Sequence, residues 1–190
     1  VYNFSLRPDT FWHDGEPLTS EDVIFTVNLL KNPDFPVPED LALFWQEIEV
    51  ISLDELTIQF RLPEAFSPFL DYLDFGILPS HLLADLSVQE IVDDPFNLQP
   101  VGTGPFKFNN LIIEDDLITG VVLTKNQEFY GEEAFLDQVA FLYYPDYQSV
   151  WDAYQAEEIQ GIGEIHGEIL GDALADENLK LYTSRLPEMS

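Results

Sequence analysis

The sequence contains no cysteine, one methionine and seven lysine and arginine residues in 190. Without cysteine the chain can form no disulfide, no thiolate-bound metal site and no cysteine nucleophile. It also contains no apolar run near the roughly 18 residues that cross a membrane as a helix. These absences exclude a disulfide-stapled scaffold, a cysteine-ligated metal site and a membrane-spanning helix within this sequence.

The few basic residues are outnumbered by 36 acidic ones, which gives a formal net charge of −29. Nucleic acids and anionic lipid surfaces are bound by basic surfaces, so neither is predicted as a partner. The simplest interpretation is a solvated acidic surface that keeps the protein soluble, and adaptation to salt is the alternative. No Asp-x-Asp-x-Asp-Gly calcium loop occurs, so we expect neither a metal nor a cofactor.

The apolar content predicts a folded chain, because 46% of the residues are hydrophobic and 15 are phenylalanine. Strand-like and helix-like runs alternate along it, which indicates the α/β class, or mixed α+β, with mixed sheets flanked by helices. The sharpest break is Pro100–Pro105, where two glycines and two prolines change the backbone freedom abruptly. We therefore predict two parts, residues 1–99 and residues 100–190.

Local patterns predict several elements. Thr19 followed by Asp22 resembles a capping box, and the apolar run after it predicts a buried helix that ends near Asn32. Residues 47–52 and 56–61 predict a hairpin. Beyond these, Ser80 is a candidate helix cap, and the tail predicts a strand at 159–162, a helix at 168–175 and a strand at 179–183.

No pattern of catalytic residues is present. The three histidines, His13, His81 and His166, are far apart and lack metal-ligand spacing. His13 is expected to form hydrogen bonds in a turn, His81 to lie in a first helical turn, and His166 to be exposed. Gly102 and Gly104 precede a strand-like run and lack the third glycine of a dinucleotide site. With no nucleophile motif either, we expect no enzyme activity.

Four aromatic residues lie beside short loops of the first half, where ligand clefts often have their walls. These candidate ligand-binding residues are Phe44, Trp45, Tyr72 and Phe75. Packing in the core is the alternative for each of them. Trp12 and Trp151 are predicted to be core residues, and the four candidates are expected to lie nearer the open edge of the cleft than Trp12 or Phe25.

Several segments together resemble one known family. They are Tyr2–Arg7 with Phe11–Val23, Glu49–Phe60, Pro100–Phe106, Asn126–Gly131, Leu136–Phe141 and Pro145–Asp146. In this order and spacing they resemble the family 5 extracellular solute-binding proteins, the peptide and nickel receptors of ABC importers. The chain departs from the family where Ala-x-x-x-Gly-x-x-Asp is common, because Glu157 and Gln160 replace the glycine and the aspartate. We expect the turn there to differ.

The resemblance implies a part of a periplasmic-binding-protein-like fold with two lobes. Residues 1–99 would be a peripheral subdomain of the first lobe and residues 100–190 part of its ligand-binding core. The second lobe and a signal segment would lie outside these 190 residues. The implied protein is a monomeric receptor, extracellular or periplasmic, either secreted or anchored as a lipoprotein.

By the same resemblance, the receptor would capture an oligopeptide or another small solute and deliver it to the transmembrane subunits of an ABC permease. A receptor for a sugar, a nickel chelate or haem is an alternative within this class. An extracellular sensing or scaffolding domain of the same fold is an alternative of another class, and a hydrolase is a third.

The charge imbalance predicts a dependence of stability on salt. Repulsion among the carboxylates should weaken the compact state at very low ionic strength, and screening already acts within about 8–10 Å at physiological salt. The melting temperature should therefore rise between very low salt and a few tenths molar NaCl. At matched ionic strength CaCl2 and NaCl should stabilise the protein about equally, and a calcium-specific rise of many degrees in the melting temperature would reveal a metal site that the sequence does not indicate.

Overall fold

The computed structural model describes residues 1–183, which form two compact units. One unit comprises Val1–Ile112 and Val121–Ala140, and the other comprises Ile113–Gly120 and the described residues from Phe141. The strands are β1 (Tyr2–Ser5), β2 (Glu49–Asp54), β3 (Thr57–Arg61), β4 (Phe106–Glu114), β5 (Leu117–Lys125) and β6 (Gln138–Leu142). The helices are α1 (Ser20–Leu30), α2 (Glu39–Gln46), α3 (Ser80–Leu83), α4 (Val88–Asp93), α5 (Tyr147–Gln155) and α6 (Leu170–Ala175), with 3-10 helices at Ser67–Tyr72 and Pro95–Asn97.

The strands form two three-stranded sheets, in the orders β1-β3-β2 and β4-β5-β6. In the first sheet all neighbours are antiparallel, and Phe60 of the central strand lies between Tyr2 and Val50. The predicted hairpin is confirmed, although its turn lies at Glu55 and Leu56. The predicted mixture of helices and strands is likewise confirmed. No helix within residues 1–183 combines the length and apolar character needed to cross a membrane.

The main core lies where α1 packs on the first sheet. Val23, Val27 and Leu30 recur at helical spacing and present one apolar face. The buried partners of this face are Trp45, Ile48, Ile58, Phe60 and Phe69. Trp12 and Trp151 are also buried, as predicted. The mostly apolar helix predicted from the sequence is therefore the element around which this core is built.

The carboxylate of Asp22 lies at the start of α1 and is 2% exposed. Its Oδ2 accepts hydrogen bonds from the Thr19 amide at 2.8 Å and from the Trp12 indole at 3.4 Å. Its Oδ1 accepts from the amide and the hydroxyl of Ser80, at 2.8 and 2.7 Å. The predicted capping box at Thr19 is confirmed. The predicted cap at Ser80 is wrong, because this hydroxyl is used by Asp22 and Pro79 occupies the cap position of α3.

The end of α5 closes with the two hydrogen bonds of a Schellman motif. The Glu158 amide donates to Ala153 O at 2.9 Å, and the Glu157 amide donates to Tyr154 O at 3.0 Å. Glu157 has φ of 60°, the left-handed conformation that glycine favours. The glutamate therefore takes up a conformation that glycine adopts without strain, and the expectation that this turn differs from the family's stays a prediction.

The tail differs from the sequence prediction. Neither residues 159–162 nor residues 179–183 form strands, and the predicted helix is the shorter α6. Ile162 and Leu179 instead pack their side chains against the cluster of Trp151, Ile169 and Ala173. The apolar pattern of these segments therefore reflects packing on helices, since side-chain burial requires no strand partner.

Removing the left-handed strain at Glu157 should stabilise the protein. Glu157→Gly is expected to raise the free energy of unfolding by about 1 kcal/mol, because glycine adopts positive φ without a steric penalty. Urea unfolding would measure the change. Glu157→Ala is the matched control, since it removes the same charge and keeps the strain; an equal gain in both variants would attribute the effect to charge.

Asp22→Ala should be strongly destabilising. It leaves the Trp12 and Ser80 donors without their acceptor, which is expected to cost about 2–4 kcal/mol. Glu21→Ala is the control, because this neighbouring carboxylate in the same helical turn is exposed and should change stability by less than about 0.5 kcal/mol. Similar losses in the two variants, measured by urea unfolding, would contradict the importance of the buried network.

Candidate functional site

The four aromatic candidates lie together in the unit that begins at Val1. Phe44 and Trp45 are consecutive residues of α2, so their side chains point in directions about 100° apart. Trp45 is 0% exposed and packs edge-on against Phe75, with ring centroids 5.3 Å apart at 89°. Phe44 stays half-buried and stacks on Tyr72 at 4.2 Å and 29°. Trp45 therefore forms the inner layer of this cluster, and the half-buried Phe44, Tyr72 and Phe75 form its outer layer.

Trp45 has the core position that is the alternative for each candidate. Its indole is completely enclosed, whereas Phe25 is half-buried. The reason is tertiary packing, because the face of α2 that carries Trp45 lies against the main core and Phe44 points about 100° away from it. A ligand-binding role for all four candidates stays a prediction, and the outer residues supply the accessible surface.

A cavity of about 350 Å³ lies beside Phe44. Phe44 and Phe66, whose ring centroids are 5.7 Å apart, form part of its wall. Leu62, Pro63 and Ile48 add apolar surface, and the exposed Glu47 and Glu64 add carboxylates. Sequence reasoning missed these cavity residues, because their proximity to Phe44 arises from long-range folding and leaves no local pattern.

Charges around this cavity are predominantly negative. Lys31 lies nearby, and its ammonium group donates to the carbonyl of Ile48 at 2.6 Å. Burial lowers the pKa of Lys31, and the charge of Glu49 opposes that shift. Lys31 is not among the residues that line the cavity, whereas Glu47 and Glu64 are. Such a site suits an apolar group that carries a positive charge.

His13 forms hydrogen bonds in a turn, as predicted. Its Nδ1 accepts from the amide of Gly102 at 3.2 Å, and its Nε2 lies 3.1 Å from the carbonyl oxygen of Gly104. Burial lowers the pKa of His13, and the positive charge of Lys107 acts in the same direction. The bond to Gly104 and the charge of Asp14 oppose that shift but do not reverse it.

His81 lies in α3, as predicted, and its Nε2 is 2.8 Å from a carboxylate oxygen of Asp14. Burial alone would raise the pKa of Asp14, but hydrogen bonds from His81 and the Glu16 amide outweigh it and lower the pKa. His166 is exposed, as predicted, and stacks on Tyr147 at 4.3 Å. Among residues 1–183 no cluster of three or more histidine, aspartate or glutamate side chains could hold a metal ion.

Comparison with known sequences gives a match along nearly the whole chain. Residues 1–189 match the family described as "Bacterial extracellular solute-binding proteins, family 5 Middle". A Brucella ovis protein, provisionally named an ABC transporter peptide-binding protein, is 32% identical over 166 residues. That alignment covers 84% of this chain and 30% of the relative, so the chain spans about three-tenths of the relative's length.

Solved structures show the same fold. NikZ from Campylobacter jejuni, in complex with Ni(L-His), aligns with a TM-score of 0.77 and 27% identity, over 93% of this chain and 34% of its own. The oligopeptide-binding protein AppA from Bacillus subtilis, in complex with a nonapeptide, aligns with a TM-score of 0.72 and 25% identity. That alignment covers 83% of this chain and 31% of AppA. The predicted periplasmic-binding-protein-like fold is confirmed.

Proposed function

We propose a receptor role for this chain, which belongs to family 5 of the bacterial extracellular solute-binding proteins. The whole protein would be the substrate-binding receptor of an ABC importer and would act outside the cytoplasm. The observation that carries this proposal is the match over residues 1–189, because it includes nearly the entire chain rather than one motif. Residues 1–99 would form a peripheral subdomain of the first lobe, and residues 100–190 part of its ligand-binding core.

The proposed ligand is an oligopeptide. The Brucella ovis relative is named for peptide binding, and AppA was solved with a nonapeptide. A non-peptide solute is the second candidate, because NikZ aligns equally well in structure and was solved with Ni(L-His). A sensing or scaffolding domain with this fold remains a further alternative, which transport measurements on the whole protein would distinguish.

The outer aromatic residues Phe44, Tyr72 and Phe75 would supply part of one cleft wall. Aromatic rings offer a large rigid surface for apolar side chains and backbone, so they tolerate different peptide sequences. Closure of a second lobe would exclude water and enclose the ligand from the opposite side. The cavity lined by Phe44 and Phe66, with Glu47 and Glu64 at its surface, would favour basic side chains.

The proposed cycle requires binding, closure and release, and no catalytic step. The receptor would act as a monomer, either secreted or anchored as a lipoprotein, and would release its ligand to the transmembrane subunits of the permease. Peptide incubated with the protein should be recovered unchanged. Appearance of cleavage products would instead support the hydrolase alternative.

Ligand capture should need more than this chain. The 190 residues alone are expected to bind tri- to pentapeptides weakly or not at all, because they contribute at most one wall of the cleft. Calorimetry with a mixed peptide library would compare them with the full-length receptor. Micromolar or tighter binding by the 190-residue chain would contradict the two-walled site.

The proposed cleft wall can be tested separately in the full-length receptor. Phe44→Ala and Tyr72→Ala should each weaken peptide binding by about tenfold, equivalent to about 1.4 kcal/mol of lost stacking. Phe135→Ala is the matched control, because Phe135 is fully exposed elsewhere and lines none of this cluster. If all three variants bind peptide equally well, the aromatic surface is not the ligand wall.

A further inference from the structure

The loop Gly102–Gly104 is attached to one histidine by both backbone and ring atoms. The His13 amide donates to Gly102 O at 2.8 Å. The Gly102 amide donates to Nδ1 of the His13 ring, and Nε2 of the same ring faces Gly104 O at 3.1 Å. Because an amide can only donate and a carbonyl can only accept, the ring must carry its proton on Nε2. The geometry thus selects one neutral tautomer.

The fit of the loop around the ring is close. A Cβ atom added at Gly102 would lie 3.4 Å from Cε1 of His13, so the glycine permits this approach. On its other side the loop is held by Asn126, whose side-chain amide donates to Gly104 O at 3.1 Å and whose backbone amide donates to Pro105 O at 2.8 Å. The asparagine does not titrate. Among the contacts that hold this loop, those of the His13 ring are therefore the ones that respond to pH.

We propose that His13 is a pH-sensitive latch that holds the Gly102 amide of this loop when neutral and releases that amide when protonated. The incoming proton binds the Nδ1 lone pair and converts this acceptor into a donor. The Gly102 amide then faces another N–H group and loses its partner, whereas Nε2 can keep its bond to Gly104. Protonation therefore breaks one of the two ring contacts and adds a repulsion between donors.

The surroundings set the direction of the response. Burial and the charge of Lys107 on β4 disfavour the protonated ring, whereas Asp14 in the same turn and the Gly104 carbonyl favour it. The balance lowers the pKa of His13 below 6.5 in the folded state. The unfolded chain therefore binds this proton more readily. The stability that the latch contributes is complete above pH 6.5 and is lost as the pH falls through the folded-state pKa.

The loop lies at the boundary predicted between residues 1–99 and 100–190, so protonation of His13 would change how firmly the chain is held at that boundary. The loop would remain attached through Asn126, through the bond from the His13 amide to Gly102 O and through Nε2, but the Gly102 amide would lose its acceptor on the ring. Mild acid would therefore loosen this connection while the core around α1 stays folded. This inference does not depend on the identity of the ligand.

Selective ¹⁵N labelling of histidine, followed by NMR between pH 8 and pH 5, tests the latch directly. The expected result is an Nε2-protonated ring at pH 8 with a pKa below 6.5. Protection of the Gly102 amide against hydrogen exchange, corrected for the intrinsic pH dependence, should fall at least about tenfold as His13 titrates. A ring protonated on Nδ1, a pKa at or above 6.5, or constant protection would each overturn the proposal.

Two variants separate the latch from general acid effects. His13→Asn can still accept a bond near the Gly102 amide but cannot titrate, so protection there should not depend on pH between 7.5 and 5. His166→Gln removes an exposed histidine and should leave the wild-type pH response intact. A pH response in His13→Asn equal to that of the wild type would assign the effect to another group and overturn the proposal. If this variant does not fold, the NMR titration of the wild-type ring tests the latch by itself.

Discussion

The buried carboxylate of Asp22 is the interaction on which the arrangement of the first unit depends. An ionised carboxylate can accept about four hydrogen bonds, and the two oxygens of Asp22 divide theirs between different segments. One oxygen holds the Trp12 side chain and the start of α1 at Thr19, and the other holds the start of α3 at Ser80. A buried charge would be costly alone, so the side chain is stable only while all three segments surround it.

Segments that resemble the family also contact one another through hydrogen bonds between a side chain and the backbone of a distant segment. His13 reaches the Gly102–Gly104 loop, and Asn126 holds the loop from its other side. These motifs therefore build a frame, and the aromatic ligand candidates lie elsewhere. A frame of this kind does not specify a ligand, which agrees with the alignment of this chain to structures solved with a nonapeptide and with Ni(L-His).

Local interactions were predictable from the sequence, and distant ones were not. The capping box at Thr19, the hairpin and the buried face of α1 each follow from neighbouring residues, and the structure contains them. The bond between Asp22 and Ser80 joins residues 58 positions apart, and no local pattern indicates it. The strand predictions for the tail were wrong for a related reason. The apolar residues near Ile162 fit a strand pattern, but their side chains are buried against helices.

The aromatic cluster shows why only part of the candidate site could be predicted. Residue type and position beside loops were enough to select four aromatic candidates. They could not reveal whether Phe44 or Trp45, which are neighbours on α2, points inward. The fold resolves this by placing Trp45 against Phe60, Phe69 and Phe75, and by leaving Phe44 and Tyr72 stacked on each other outside. Replacing Trp45 would disturb the core itself, because its ring fills the space between the helix and the sheet. Replacing Phe44 or Tyr72 would alter the half-buried outer layer, whereas the packing around Trp45 would remain.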